Sequence, residues 1–426
     1  MRFKFWDFKL VIQDSMWVII GQLATAVSSI VSIKLLVNAL SKHDFGVYSV
    51  ALTLGGFVSL VLFSPLNQSV LRFYANARKS NRLDEFIQVL LPDVKSIILL
   101  AISILVIVSI GLVFFLKEYR ITVLLVICNG LFVGFTKFFE QMLNSKREQF
   151  SLSLGQAFYA ALKLILFYIV IFTGYKTLNN FLAASAMSGL LSVYIYWKLN
   201  PEFVLKKGYI EITESGLLLK QQFKEYRNQF RTISLVSWIT SSSDKWIVSF
   251  FLSVEGAGIY SALKSIFYNL SLFAFRILTR ILSPIVFSSD KRQLKSKKIS
   301  VIRFVVFVIL IVSPLVFFTT HKIISFTLNE DYLDKASMAF VLFFTSCVFG
   351  VSQVYTIFLQ KDLKAKQIKY VELMSIFIST ILLIIGANIS LNYVALALLC
   401  STIIKVLIIY IYDVNTESVS FSKTKS

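Results

Sequence analysis

The chain has 426 residues, of which 57% are apolar and only 15% charged, and its mean hydropathy is +0.75. Soluble domains run nearer half apolar and a quarter charged, so an ordinary globular enzyme is excluded, and so is disorder, which requires low hydrophobicity. A net charge of +20 would suggest nucleic acid in a soluble protein; here it reports basic loops beside an anionic membrane leaflet, and no nucleic-acid partner is expected.

Residues 1–14 are basic and aromatic, and no small-residue cleavage site ends the apolar run that follows. They read as an interfacial lead-in that packs among membrane lipids, not as a removable signal. A membrane helix needs roughly 20 mostly apolar residues, because ~30 Å of hydrocarbon is crossed at ~1.5 Å per residue. Twelve runs qualify. They are 15–38, 46–71, 94–116, 121–143, 150–172 and 180–197, then 230–252, 258–284, 299–320, 337–359, 371–388 and 391–412, the last two parted by a very short turn at 390–392. The expected fold is an all-α integral membrane protein of about twelve transmembrane helices. The N-terminus, the even-numbered connections and the C-tail, with the adjoining inner span ends, hold more than four times as many Lys and Arg as the odd-numbered connections. The positive-inside rule therefore places both termini in the cytoplasm.

The longest connection, 200–228, is basic and divides the spans into two sets of six. The expected parts are an N-terminal lobe 1–198, a cytoplasmic connector 199–229, and a C-terminal lobe 230–426 with a short tail. The halves echo each other in Gly46-Val47-Tyr48-Ser49 and Gly258-Ile259-Tyr260-Ser261, and in Ser64-Pro65 and Ser283-Pro284. An even number of spans per unit gives parallel repeats, hence two six-helix bundles related by a pseudo-twofold axis along the membrane normal.

Apart from Arg231 and Arg303, counted above with the inner span ends, nine cations lie inside the spans, and each at mid-bilayer costs about 2.5–3.5 kcal/mol unless it meets water or a partner. Lys34 is close to the outer end of span one and on the face opposite Thr25, Ser29 and Ser32; geometry favours an interfacial lysine, and only its place in the repeat keeps it a candidate. Arg72 ends span two at the cytoplasmic rim, where a phosphate would first be met. Lys95 beside Asp93, Lys137 with Glu140, and Lys405 read as interfacial or paired. On span five, Gln156, Tyr159 and Lys163 share a face, and Lys163 is too deep to snorkel easily, which favours cavity lining over a locally paired lysine. Ser234, Trp238, Ser241 and Lys245 share a face of span seven flanked by Asp244. This pair either lines a cavity or is neutralised by another helix, and Asp244 is the best-placed carboxylate for ion coupling. Span eight presents Ser265, Asn269, Arg276, Arg280 and Ser283 in one stripe. Two guanidinium forks four residues apart suit phosphate, although Arg280 also reaches the inner headgroups. Lys264 lies off that stripe near the outer end and reads as snorkelling.

Cations within the spans outnumber the acids, of which Glu140 and Asp244 are the clear cases. Excess positive charge facing water attracts anionic cargo, whereas an exporter of organic cations wants the reverse. Cys128, Cys347 and Cys400 stand at unrelated spacings and His43 and His321 are far apart, so neither metal nor cofactor is expected. No nucleotide-binding motif is present.

The runs that carry a family likeness are Leu40-Ser41-Lys42-His43-Asp44-Phe45-Gly46-Val47-Tyr48, Asn67-Gln68-Ser69-Val70-Leu71-Arg72-Phe73-Tyr74, and 241–265 (SSSDKWIVSFFLSVEGAGIYSALKS). With the twelve-span plan, they resemble the Wzx-type lipid-linked oligosaccharide flippases, the polysaccharide-transporter branch of the MOP superfamily that also holds the MATE exporters. The resemblance implies two bundles around a central cavity in the bacterial inner membrane. By alternating access, the cavity would carry an undecaprenyl-pyrophosphate-linked repeat unit outward, as in O-antigen, lipopolysaccharide and other polysaccharide biosynthesis. It implies an H⁺ or Na⁺ gradient as the energy source, and the polymerase and glycosyltransferases of the same pathway as partners. Lys163, Lys245 and Arg276 would line the cavity, with Arg280 and Arg72 near its mouth. A MATE-like ion-coupled exporter of small molecules is the alternative. A membrane polysaccharide polymerase is weaker, because Glu330, Asp331 and Asp334 in the outer loop 321–336 lack a paired-acid context. The lipid II flippase branch resembles fourteen spans, not twelve.

Overall fold

The computed structural model describes residues 5–115, 120–200, 214–288, 291–361 and 365–423. Among them the chain forms twelve helices. The first six are α1 (Phe5–Ala39), α2 (42–79), α3 (Leu83–Phe115), α4 (Arg120–Lys146), α5 (Gln149–Phe172) and α6 (Leu178–Lys198). The second six are α7 (Glu214–Phe251), α8 (254–288), α9 (Lys291–Thr327), α10 (330–361), α11 (Ala365–Ala387) and α12 (Leu391–Lys423). Ten are long and apolar enough to cross a membrane; the two that fall short on that measure are α7 and α8, which carry Asp244, Lys245, Lys264 and Arg276. The large apolar side chains left most exposed, such as Phe172, Phe250 and Phe318, suit a lipid surround.

Two helices contain a widened π turn, at Ser59–Phe63 in α2 and at Lys264–Tyr268 in α8. The first comes just before Pro65, whose missing N–H breaks the regular ladder that the wider turn then accommodates. The short turn between the last two spans is real: α11 stops at Ala387 and α12 starts at Leu391.

The chain divides into two compact units, one gathering Met1–Leu40 and Tyr48–Trp238, the other Ser41–Val47 and Ile239–Ser426. In the first, α1 packs along α5, and α4 lies against α2, α3 and α6, with α5 also against α6. The Ser28 hydroxyl donates to the Ala160 carbonyl at 3.0 Å, tying α1 to α5. The core holds Phe63, Leu66, Tyr74, Phe86, Phe138, Met142 and Tyr196. Phe223, from the stretch expected as a connector, is buried in the same core, its ring centroid 5.8 Å from that of Phe73 and 6.0 Å from that of Phe86. Residues 201–213 of that stretch lie outside the described residues, but from Glu214 onward it is helix, not loop. Leu219, Phe223 and Tyr226 face the core, Lys220 and Lys224 face out, and Arg227 ion-pairs with Asp93. Asp93 therefore serves Arg227, and Lys95 stands exposed.

In the second unit α10 is the hub, packed by α8, α9 and α12, and α11 runs along α12. Lys405 on α12 is buried, bonded to both carboxylate oxygens of Glu372 on α11 at 2.7 and 2.8 Å, with its ammonium 5.0 Å from the Phe349 ring centroid. The first turn of α2 belongs to this unit. There a β-carbon added to Gly258 would stand 2.7 Å from the Lys42 carbonyl oxygen and 3.1 Å from the Gly46 Cα. Lys42 also pairs with Asp331 at 3.3 Å.

Candidate functional site

A concentrated polar site among the described residues of the second unit is built where α7 passes α8. Ser253 caps α8 by accepting a hydrogen bond from the Gly256 N–H at 2.9 Å, which fixes where the helix begins. From that start Tyr260, Lys264 and Tyr268 fall on successive turns, and Lys264 opens the π turn at 264–268. Asp244 on α7 is buried at 1% exposure. Its Oδ2 accepts from the Tyr260 hydroxyl at 2.6 Å and is ion-paired with the Lys264 ammonium, while its Oδ1 accepts from the Lys245 backbone N–H at 2.9 Å. The same ammonium lies 5.7 Å from the Tyr260 ring centroid and 5.4 Å from that of Tyr268. One carboxylate and two aromatic faces thus surround a single cation.

Three expected residues meet here. Asp244 anchors the cluster, the half-buried Lys245 is within electrostatic reach of both Asp244 and Lys264, and the exposed Arg276 interacts with Tyr268. Lys264 is a correction. Its position near the outer end of the span suggested snorkelling, yet it is buried at 7% exposure and holds Asp244. A helical wheel of α8 alone contains no sign of this, because the partner lies on another helix. Three cations beside one acid leave the cluster positive. The Arg280 side chain lies outside the described residues.

The other expected cations belong to the first unit. Lys163 is half-buried on α5 with its ammonium 5.4 Å from the Phe167 ring centroid, and the buried Gln156 precedes it on the same face. Tyr159, between them, interacts with Tyr48, Glu140 and Ser188, so this face of α5 turns toward α2, α4 and α6. Arg72 is exposed on α2, which continues past it to Lys79, with its guanidinium 4.5 Å from the Tyr226 ring centroid. Lys34 is half-buried on α1 between Ile33 and Leu35, following the buried Ser32. Lys137 pairs with Glu140 at 2.8 Å, and Glu140 also accepts from the Tyr196 hydroxyl at 3.2 Å. Among the described residues, no carboxylate lies within ion-pair distance of Lys163, Lys245, Arg276 or Arg72.

A profile of the family described as "Polysaccharide biosynthesis protein" matches residues 11–290. No curated protein sequence matches. Among solved structures, the chain is similar to the inward-facing conformation of a multidrug resistance MATE family transporter of the MOP superfamily, with TM-score 0.70 and 12% identity over 96% of this chain and 99% of that one. It is also similar to the lipid II flippase MurJ in an inward closed conformation, with TM-score 0.73 and 15% identity over 95% of this chain and 87% of that one. A MOP superfamily transporter from Pyrococcus furiosus aligns with TM-score 0.60 and 12% identity over 95% of this chain and 94% of that one. At these identities the likeness is one of fold, and the fold is that of membrane transporters and flippases.

Proposed function

We propose that this chain, which belongs to the polysaccharide biosynthesis protein family, is a flippase for anionic, lipid-linked glycans. Its cargo is an undecaprenyl-pyrophosphate-linked oligosaccharide repeat unit, carried by alternating access from the inner to the outer leaflet of the bacterial inner membrane. The observation that carries this reading is the set of cations on membrane helices with no carboxylate partner among the described residues: Lys163, Lys245 and Arg276. An unpaired cation at bilayer depth is tolerated only against water or an anionic ligand, and Arg276 is exposed. Planar guanidinium binds pyrophosphate oxygens bidentately, and the ammonium groups supply point charges.

In this reading Lys163, Lys245 and Arg276 contact pyrophosphate or acidic sugar, Arg72 and Arg280 meet the cargo at the cytoplasmic mouth, and Lys34 is a secondary contact. Asp244 is the carboxylate at which a coupling H⁺ or Na⁺ acts. Both termini are cytoplasmic, with lobes 1–198 and 230–426. The packing of α2, α3 and α6 on α4 and of α5 on α6 recurs six helices later, as α8, α9 and α12 on α10 and α11 on α12, which supports a duplicated six-helix unit. Polymerase and glycosyltransferases of the same pathway supply and consume the cargo. The test is a deletion strain, in which lipid-linked oligosaccharide accumulates on the inner leaflet and surface polysaccharide is lost.

A second reading, a MATE-like ion-coupled exporter of small molecules, is favoured by the shared fold. It predicts raised drug sensitivity on deletion with surface glycan unchanged.

A further inference from the structure

Lys264 has an environment built like a ligand site. Its ammonium meets the Asp244 carboxylate and lies against the rings of Tyr260 and Tyr268, while the Tyr260 hydroxyl completes the carboxylate shell at 2.6 Å. It sits on a π turn, a local irregularity that recurs at functional positions. Lys245 and Arg276, which the proposed function assigns to cargo, are electrostatic neighbours of the same cluster.

We infer that Lys264 is a further cargo-binding residue, held in reserve by Asp244 and exchanged between that carboxylate and the phosphate of an anionic ligand. The inference rests on the anionic-cargo reading above and deepens it. A buried ion pair is expensive to desolvate and weak evidence of stabilisation in itself, so its presence among three cations calls for another use. With Asp244 charged, Lys264 is neutralised and the cluster offers two cations, Lys245 and Arg276. When a small cation neutralises Asp244, the lysine is freed and the cluster offers three. An anion and a small cation thereby favour each other's binding by the same factor, as linked equilibria require. The exchange needs no large motion, because the lysine stem swings about its own rotatable bonds.

The test measures binding of radiolabelled geranylgeranyl diphosphate to the detergent-purified full chain. Asp244→Asn reproduces the neutralised carboxylate without changing its shape, and Lys264→Met removes the charge while keeping the apolar stem. Asp244→Asn is expected to bind about tenfold more tightly than the unmodified chain, and Lys264→Met no more tightly than the unmodified chain. The double variant is expected to match Lys264→Met, because without the lysine the carboxylate has nothing to hold back. A diphosphate affinity that Asp244→Asn leaves unchanged or weakens overturns the exchange while leaving the functional reading standing. So does a double variant that still shows the Asp244→Asn gain, since the gain would then come from losing a negative charge and not from freeing Lys264. If even the unmodified chain fails to bind diphosphate, the functional reading falls and the inference falls with it. Should Lys264→Met fail to elute as a single folded species, Asp244→Asn alone decides, with Lys264→Arg as the charge-keeping partner expected to bind at least as well as the unmodified chain.

Discussion

Gly46 and Gly258, the first residues of the two repeated Gly-x-Tyr-Ser runs, meet backbone to backbone in the second unit, where a β-carbon on Gly258 would stand 3.0 Å from the Gly46 nitrogen. A β-carbon on Gly46 would run into the Val254 carbonyl, so the contact permits no side chain on either residue. The sequence echo thus marks a helix crossing.

Gly258→Ala is expected to destabilise by about 1–3 kcal/mol, because overpacking a backbone contact forces the helices apart. Gly56→Ala is the control. A β-carbon there meets nothing within 4 Å, so the change should stabilise by up to ~1 kcal/mol through helix propensity alone. Paired thermal melts of the two purified variants check the opposite signs.

The first half of α7 is held by Phe223 and by the Arg227–Asp93 pair. Phe223→Ala removes a fully buried ring and should cost about 3–5 kcal/mol of docking energy. Limited trypsin digestion should then cut at Lys220 and Lys224, both on the outward side of that segment, faster than in the unmodified chain.

Lys405→Ala leaves Glu372 without its partner. Complete burial of both groups would make the loss about 3–5 kcal/mol, and since the Glu372 side chain is 30% exposed, about 2 kcal/mol is expected. Lys405→Met combined with Glu372→Gln should restore most of that stability, as read by melting temperature, because no charge is then stranded.

The cations proposed for the cargo should behave differently. Lys163→Ala, Lys245→Ala and Arg276→Ala should each abolish surface polysaccharide in a complemented deletion strain while the protein accumulates normally. Arg276→Lys should keep only part of the activity, since a point charge replaces a bidentate fork. Immunoblots of membranes beside polysaccharide gels separate this outcome from simple loss of protein.

Hydropathy located the long apolar helices, because lipid leaves such runs no other regular structure. It was least informative where a segment is amphipathic instead of uniformly apolar. Leu83–Phe115 begins well before the run at 94–116, and Pro92 and Asp93 lie within the helix. Glu214–Phe251 likewise extends through what looked like a basic loop, because its apolar residues recur on one face only. Local charge pairs were legible: Lys137 and Glu140 stand three apart on one helix, and they pair. The partners of Lys264 and Lys405 were not, because Asp244 and Glu372 lie on other helices and a single helical wheel carries no information about its neighbours.

The central claim is that the protein moves an anionic, lipid-linked glycan across a bilayer, and reconstitution tests it most directly. Purified chain would be placed in vesicles loaded on one leaflet with a fluorescent polyprenyl-diphosphate oligosaccharide, and a membrane-impermeant quencher would report the other leaflet. The account predicts transfer that requires the protein and is lost in Arg276→Ala; a leaflet distribution identical with and without the protein would contradict it.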